Sequence, residues 1–190
     1  MKILTFAGSL RKDSLNKKLC HVVESIVQNN KLGDISFCDL QPLQIPVYDG
    51  DIESTTGVPE GIKKLGQMIT DAQAVIICTP EYNGSMPGSL KNTVDWLSRQ
   101  KPVSLSGKHI LILAASPGGL GGVRSLWHSR QPFEVLNAHV YPEMAGIAKA
   151  HENISADNKI VDPKLGQNLE RVVKEFIAYV DKVYRGTERQ

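Results

Sequence analysis

The feature that most constrains this chain is an alternation of short apolar runs with longer segments of helical period. Ile3–Ala7, Ala74–Cys78 (AVIIC) and His109–Ala115 (HILILAA) are runs of five to seven residues rich in β-branched and aliphatic side chains. Each is too short for a buried helix and too uniformly apolar for a strand with one wet face, so each predicts a strand covered on both sides. Between them, Leu15, Leu19, Val22, Val23, Ile26 and Val27 recur on one face of a helix, and Leu165, Leu169, Val172, Val173, Phe176, Val180 and Val183 do so again after Pro163. Helices are also expected over Val58–Asp71, Ser89–Ser98 and Val123–Leu136, and further strands over Asp34–Leu40 and Ala138–Tyr141. Gln41–Gly57, with Pro42, Pro46, Gly50 and Gly57, reads as an irregular loop, and a long polar loop follows Tyr141. A β-α unit repeated five times predicts an α/β fold with a parallel sheet and right-handed crossovers, in one domain over 1–190.

Composition removes several function classes. The net charge of +2 comes without a basic stripe, which argues against a nucleic-acid partner. No run approaches the ~20 apolar residues of a membrane span, and the N-terminal run ends in a Gly-Ser turn instead of a cleavage site. A cytoplasmic location is expected. Cys20, Cys38 and Cys78 are scattered and the histidines lack ligand spacing, so neither a disulfide framework nor a metal is predicted.

In an open parallel sheet, ligands bind beyond the carboxyl ends of the strands where strand order reverses. The loops there are Gly8–Asn16, Thr79–Pro87 and Ser116–Gly122, all rich in Gly, Ser, Pro and Asn. The first joins a strand to a helix N-terminus and offers Ser9, Arg11, Ser14 and Asn16, a donor set suited to a phosphate monoester. Ser14, or Asp13, serves equally well as a plain helix cap. Neither Gly-x-x-x-x-Gly-Lys-[Ser/Thr] nor Gly-x-Gly-x-x-Gly is present, which disfavours a P-loop or a resident dinucleotide. The acidic residues that a phosphoacceptor receiver needs after its first strand are replaced by Ala7-Gly8-Ser9.

GSLRKDSLN after the first strand and TPEYNGSMPGSLKNTVDWLSR after the third resemble the NAD(P)H-dependent FMN reductases, which include quinone, azo-dye and chromate reductases. The likeness runs to about residue 145 and is most specific in PEYNGSMPGSLKNTVDW. It implies a flavodoxin-like three-layer sandwich with a five-stranded parallel sheet of order 2-1-3-4-5. It also implies that Ser9, Arg11, Ser14, Leu15 and Asn16 hold an FMN phosphate. Pro80, Glu81, Tyr82, Asn83, Gly84 and Ser85 would lie along the isoalloxazine ring, although Pro-Glu-Tyr-Asn-Gly is also a plausible turn. Ser116, Gly118 and Gly119 would approach the pyrimidine side.

Hydride transfer from NADPH or NADH to flavin needs stacking and distance control, so no side chain is expected to act as a catalytic acid or base, Glu81 included. The implied acceptors are quinones, azo compounds, free flavin or oxidised metal ions. Arg11 and Lys12 could favour NADPH, and Lys12 fits a plain surface charge as well. A homodimer or homotetramer is implied, paired through the helices carrying Trp96, Arg99, Arg124 and Trp127, residues that ordinary packing and solvated charge also explain. The rival functions are a flavodoxin-type electron carrier, disfavoured by the positive charge, and an FMN-binding regulator without turnover. Pro117-Gly-Gly-Leu-Gly121 also resembles the opening of a nucleotide phosphoribohydrolase motif, but Gly122 and Ser125 stand where Thr and Glu are required.

Overall fold

The structure, a computed structural model, describes residues 1–187. Its elements run β1 (Lys2–Ala7), α1 (Leu15–Asn29), β2 (Asp34–Cys38), α2 (Gly50–Thr56), α3 (Glu60–Asp71) and β3 (Ala74–Thr79). They continue with α4 (Gly88–Leu97), β4 (His109–Ala115), α5 (Val123–Val135), β5 (His139–Val140), β6 (Ala145–Ile147), α6 (Ala150–Asn153) and α7 (Pro163–Thr187). The strands pair in parallel in the order β2-β1-β3-β4-β5, the expected arrangement.

Strand alternation divides the core in two. Ile3, Ala7, Ile76, Cys78, Leu111 and Leu113 face α1 and α7, where they meet Leu19, Val23, Val173 and Phe176. Leu4, Phe6, Val75, Ile77, Ile110 and Ile112 face the other way, onto α3, α4 and α5. Every residue of β3 and β4 is buried, which is why their sequences are apolar without alternation. The chain leaves β1 for β2 at one edge and returns to β3 on the other side of β1. The reversal of strand order therefore lies between β1 and β3.

Two stretches differ from expectation. The Gln41–Gly57 segment contains a 3₁₀ turn (Gln41–Leu43) and α2. No residue of α2 is buried, so no apolar period announces it; Asp49 caps it by accepting from the N–H of Asp51 at 2.8 Å. The segment is tied to α4 by Trp96 and Asn92, both donating to the carbonyl of Pro46, and by Arg99, whose guanidinium grips Glu53 at 2.8 and 2.9 Å. Trp96 is fully buried, so it packs within the chain and offers nothing to a partner subunit. The fifth strand position is also split. β5 pairs with the start of β4, residues 141–144 leave the sheet, and β6 rejoins β4 at its carboxyl end. What the sequence presents as polar loop thus supplies a sixth short strand beside the third loop.

Candidate functional site

The first loop is built around the start of α1. Ser14 is its N-cap, in extended conformation, and its hydroxyl oxygen accepts from the N–H of Asn16 at 3.2 Å. Asn16 is buried, and its amide clasps the end of β4: Nδ2 donates to the carbonyl of Ala115 at 2.9 Å and Oδ1 accepts from its N–H at 2.8 Å. This clasp fixes the first loop against the third. Ser9 is also buried, with its Oγ accepting from the N–H of Arg11 at 3.4 Å. Arg11 itself is exposed, and among the described residues no carboxylate lies within ion-pair distance of it.

The second loop closes on itself. Tyr82 and Ser85 exchange backbone hydrogen bonds at 3.0 and 3.1 Å around Asn83 (φ 51°) and Gly84 (φ 74°). Two consecutive left-handed residues make a type I′ turn, the conformation Asn-Gly favours. The turn's two bonds use neither the N–H of Asn83 nor that of Gly84.

Glu81, just before the turn, reaches α5. Its Oε1 accepts from Arg124 Nε at 2.7 Å, and its Oε2 accepts from the backbone N–H of Arg124 at 3.1 Å and of Ser125 at 3.5 Å. Burial opposes ionisation of this carboxyl, but Arg124 and those backbone donors outweigh it and hold Glu81 below the ordinary 4.5. Glu81 is therefore a charged joint between the second loop and α5. His128 adds a second joint, 3.0 Å from Ser85 Oγ. Ser125, at the position where a hydrolase would need its glutamate, is fully buried and donates to the carbonyl of Pro80 at 2.8 Å.

The third loop packs on β6 and α6. Ser116 N–H donates to Ile147, Ala150 N–H to Ser116, and Lys149 N–H to Gly118. Gly121 and Gly146 touch backbone to backbone: a Cβ on Gly146 would stand 2.5 Å from the carbonyl oxygen of Gly121. Gly122 (φ 84°) caps α5 in a left-handed conformation, 2.8 Å from Ala114 Cβ if it carried a side chain. By contrast, nothing lies within 4 Å of a Cβ on Gly119, and only Ser116 Oγ, at 3.6 Å, approaches one on Gly118.

The three loops line one open cavity of about 320 Å³ at the carboxyl ends of β1, β3 and β4. Ser9, Arg11, Ser14, Leu15, Asn16, Pro80, Glu81, Tyr82 and Ser116 all border it. Asn83, Gly84, Ser85, Gly118 and Gly119 do not; they lie further along the same loops. Asp13, Ala115, Pro117 and His151 border it as well, though none of them was expected among the cofactor contacts. His151 comes from α6, a four-residue helix in the polar segment, and no periodicity or motif points to it.

Residues 1–152 match the NADPH-dependent FMN reductase family. The chain belongs to that family. A quinone reductase of Escherichia coli (strain K12) is 37% identical over 178 residues, which span 90% of this chain and 86% of that protein. The solved structure of FerB, a flavoenzyme NAD(P)H:(acceptor) oxidoreductase from Paracoccus denitrificans, is 29% identical with a TM-score of 0.79, covering 95% of this chain and 97% of that one. A flavodoxin from the domain Archaea matches with a TM-score of 0.62 at 10% identity, over 95% of this chain and 99% of that one, and shows the fold alone. This FMN reductase family member is accordingly an oxidoreductase of flavodoxin-like fold, with FMN as cofactor and NAD(P)H as electron donor. The residues around the cavity fit that cofactor chemically. Two buried hydroxyls and an unpaired guanidinium gather at a helix N-terminus, where a phosphate monoester finds both charge and donors.

Proposed function

We propose that this family member holds one FMN in the cavity and passes electrons from NADPH or NADH to a quinone, as one functional unit spanning the chain. The reading rests on a single observation: loops from three separate strands border one 320 Å³ cavity, and its first loop carries Ser9, Ser14 and the unpaired Arg11. That volume lies in the range of small-molecule sites, roughly 300–1,000 Å³.

The phosphate falls to Ser9, Arg11, Ser14 and the free N–H groups of the first turn of α1, starting with Leu15. Asn16 holds Ala115 and so sets the distance between the phosphate loop and the third loop. Pro80, Glu81 and Tyr82 would line the ring within the cavity, Tyr82, 45% exposed, as an aromatic wall, with Asn83, Gly84 and Ser85 continuing beyond it along the same loop. Ser116 takes the ring's far edge, and the open space beside Gly118 and Gly119 lets a flat group lie against backbone. The chemistry a bound FMN would supply is that of a hydride acceptor for the nicotinamide and an electron donor to the second substrate. Glu81, already ionised, has no proton to give, so the chain's part is to bind, orient and exclude water.

Azo compounds, free flavin and oxidised metal ions are further acceptors that an open site of this kind admits. Self-association as a homodimer or homotetramer is supported by exposed Leu120 in the third loop and Val123 and Trp127 in the first two turns of α5. A cytoplasmic setting fits the three free, buried cysteines; no described helix is long and apolar enough to cross a membrane.

The test is an absorbance spectrum of purified protein supplied with FMN, followed by anaerobic NADPH or NADH and then a quinone. Yellow protein that bleaches and then regains its colour is expected. Protein that takes up no FMN, or whose flavin stays oxidised with both nucleotides, refutes the reading.

A further inference from the structure

A second cavity, about 470 Å³, lies on the other side of the first loop, between α1 and β2. It shares Asp13 and Ser14 with the FMN cavity, so the two are neighbours across a single turn of chain. Three lysines line it. Lys17 is held by Asp39 at 2.8 Å, whereas Lys12 and Lys18 have no carboxylate within ion-pair distance among the described residues. The carboxylates on its wall are Asp13 and Asp39, which leaves the lining net positive. The first turn of α1 contains no acid and instead carries Lys17, with Lys18 next to it, at the positive end of the helix dipole. Cations are disfavoured there unless an anion joins them. The opposite wall is aromatic: Phe37 and the ring of His21 sit 4.9 Å apart, centroid to centroid, with their planes at 59°, and His21 is itself paired to Glu24 at 2.7 Å.

We infer that this cavity seats the adenosine 2′-phosphate end of NADPH. The inference rests on the proposed function and adds a discrimination to it. A nicotinamide that reaches the first cavity belongs to a molecule whose other end is a purine ribose, and the adjoining cavity offers an aromatic wall for the purine. NADPH differs from NADH by the 2′-phosphate, which brings roughly two negative charges. Lys12 and Lys18 are the unpaired cations that meet it, and Lys17, committed to Asp39, shapes the wall.

The test uses FMN-loaded protein and the double variant Lys12→Gln/Lys18→Gln, which removes two solvent-facing charges without breaking a bond within the chain. The ratio of KM for NADPH to KM for NADH is expected to rise about tenfold or more, the value of one or two lost charge-assisted hydrogen bonds. Calorimetry supplies a readout apart from turnover. Adenosine 2′,5′-bisphosphate should bind the wild type more tightly than adenosine 5′-monophosphate does, and the double variant should lose that preference. An unchanged KM ratio, or equal binding of the bisphosphate to both proteins, overturns the assignment of this cavity. Failure of the wild type to take up FMN, or to have it reduced by NADH, refutes instead the function on which the assignment rests.

Discussion

Replacing Glu81 with glutamine probes the joint between the second loop and α5. The carboxylate accepts three hydrogen bonds, from Arg124 Nε and from the N–H groups of Arg124 and Ser125. Glutamine has one oxygen and points an N–H₂ group at donors, so at most part of this set survives. Loss of the helix cap costs about 1 kcal/mol. The ion pair adds only about 0.5 kcal/mol, because Arg124 is 58% exposed and screened by water. The sum, about 1.5 kcal/mol, corresponds to a fall in Tm of roughly 3–6 °C for a chain of this size. The pH dependence has a definite sign. The folded carboxyl titrates below its ordinary 4.5, so its contribution is whole above that value and is lost as pH falls through the folded one. Urea unfolding of both proteins at about pH 7 and about pH 3 should therefore show a gap that closes in acid. A gap of the same size at both pH values refutes the electrostatic reasoning. E81Q unfolding like the wild type while flavin reduction collapses would make Glu81 a proton donor after all.

Further substitutions separate structural from ligand-holding roles. Asn16→Ala strands both backbone groups of Ala115 in a buried place and should cost about 2–4 kcal/mol by chemical denaturation; a loss under about 1 kcal/mol would contradict the clasp. Arg11→Ala should leave unfolding unchanged yet weaken FMN binding about tenfold or more, measured by equilibrium dialysis. His109 is buried with its Nδ1 unpartnered, and burial, then His139 and Lys108, hold it below the ordinary 6.5. Its unfolded form takes up protons first, so stability should fall as pH drops below 6.5, and His109→Phe should flatten that fall in a Tm series. Gly122→Ala should destabilise by more than about 1 kcal/mol through its φ of 84° and the 2.8 Å approach to Ala114, whereas Gly119→Ala, in open space, should not move Tm.

The central strands and the long helices were legible because burial writes itself as apolar runs and 3.6-residue periods. β3 and β4 are apolar throughout because both faces are covered. α2 escaped because it buries nothing, although Asp49 as cap and Asp51 and Glu53 in its first turn are local signals that were there to read. β6 and α6 escaped because three or four residues carry no period. At the site, residue types on the three loops pointed to a phosphate and a flat ring. Their bonding did not show: Asn16 is spent largely on Ala115 and Glu81 on Arg124, partners 99 and 43 residues away. Trp96 and Arg99, inside the motif that follows the third strand, hold the α2 segment.

The central claim is that the rim cavity recognises a singly phosphorylated flavin by its phosphate. Titrating the apoprotein with FMN and with riboflavin, followed by flavin fluorescence, tests it directly. One equivalent of FMN should bind at least about a hundredfold more tightly than riboflavin, the combined worth of Arg11, Ser9, Ser14 and the helix N-terminus. Equal affinity for the two flavins, or no saturable binding of either, would contradict it.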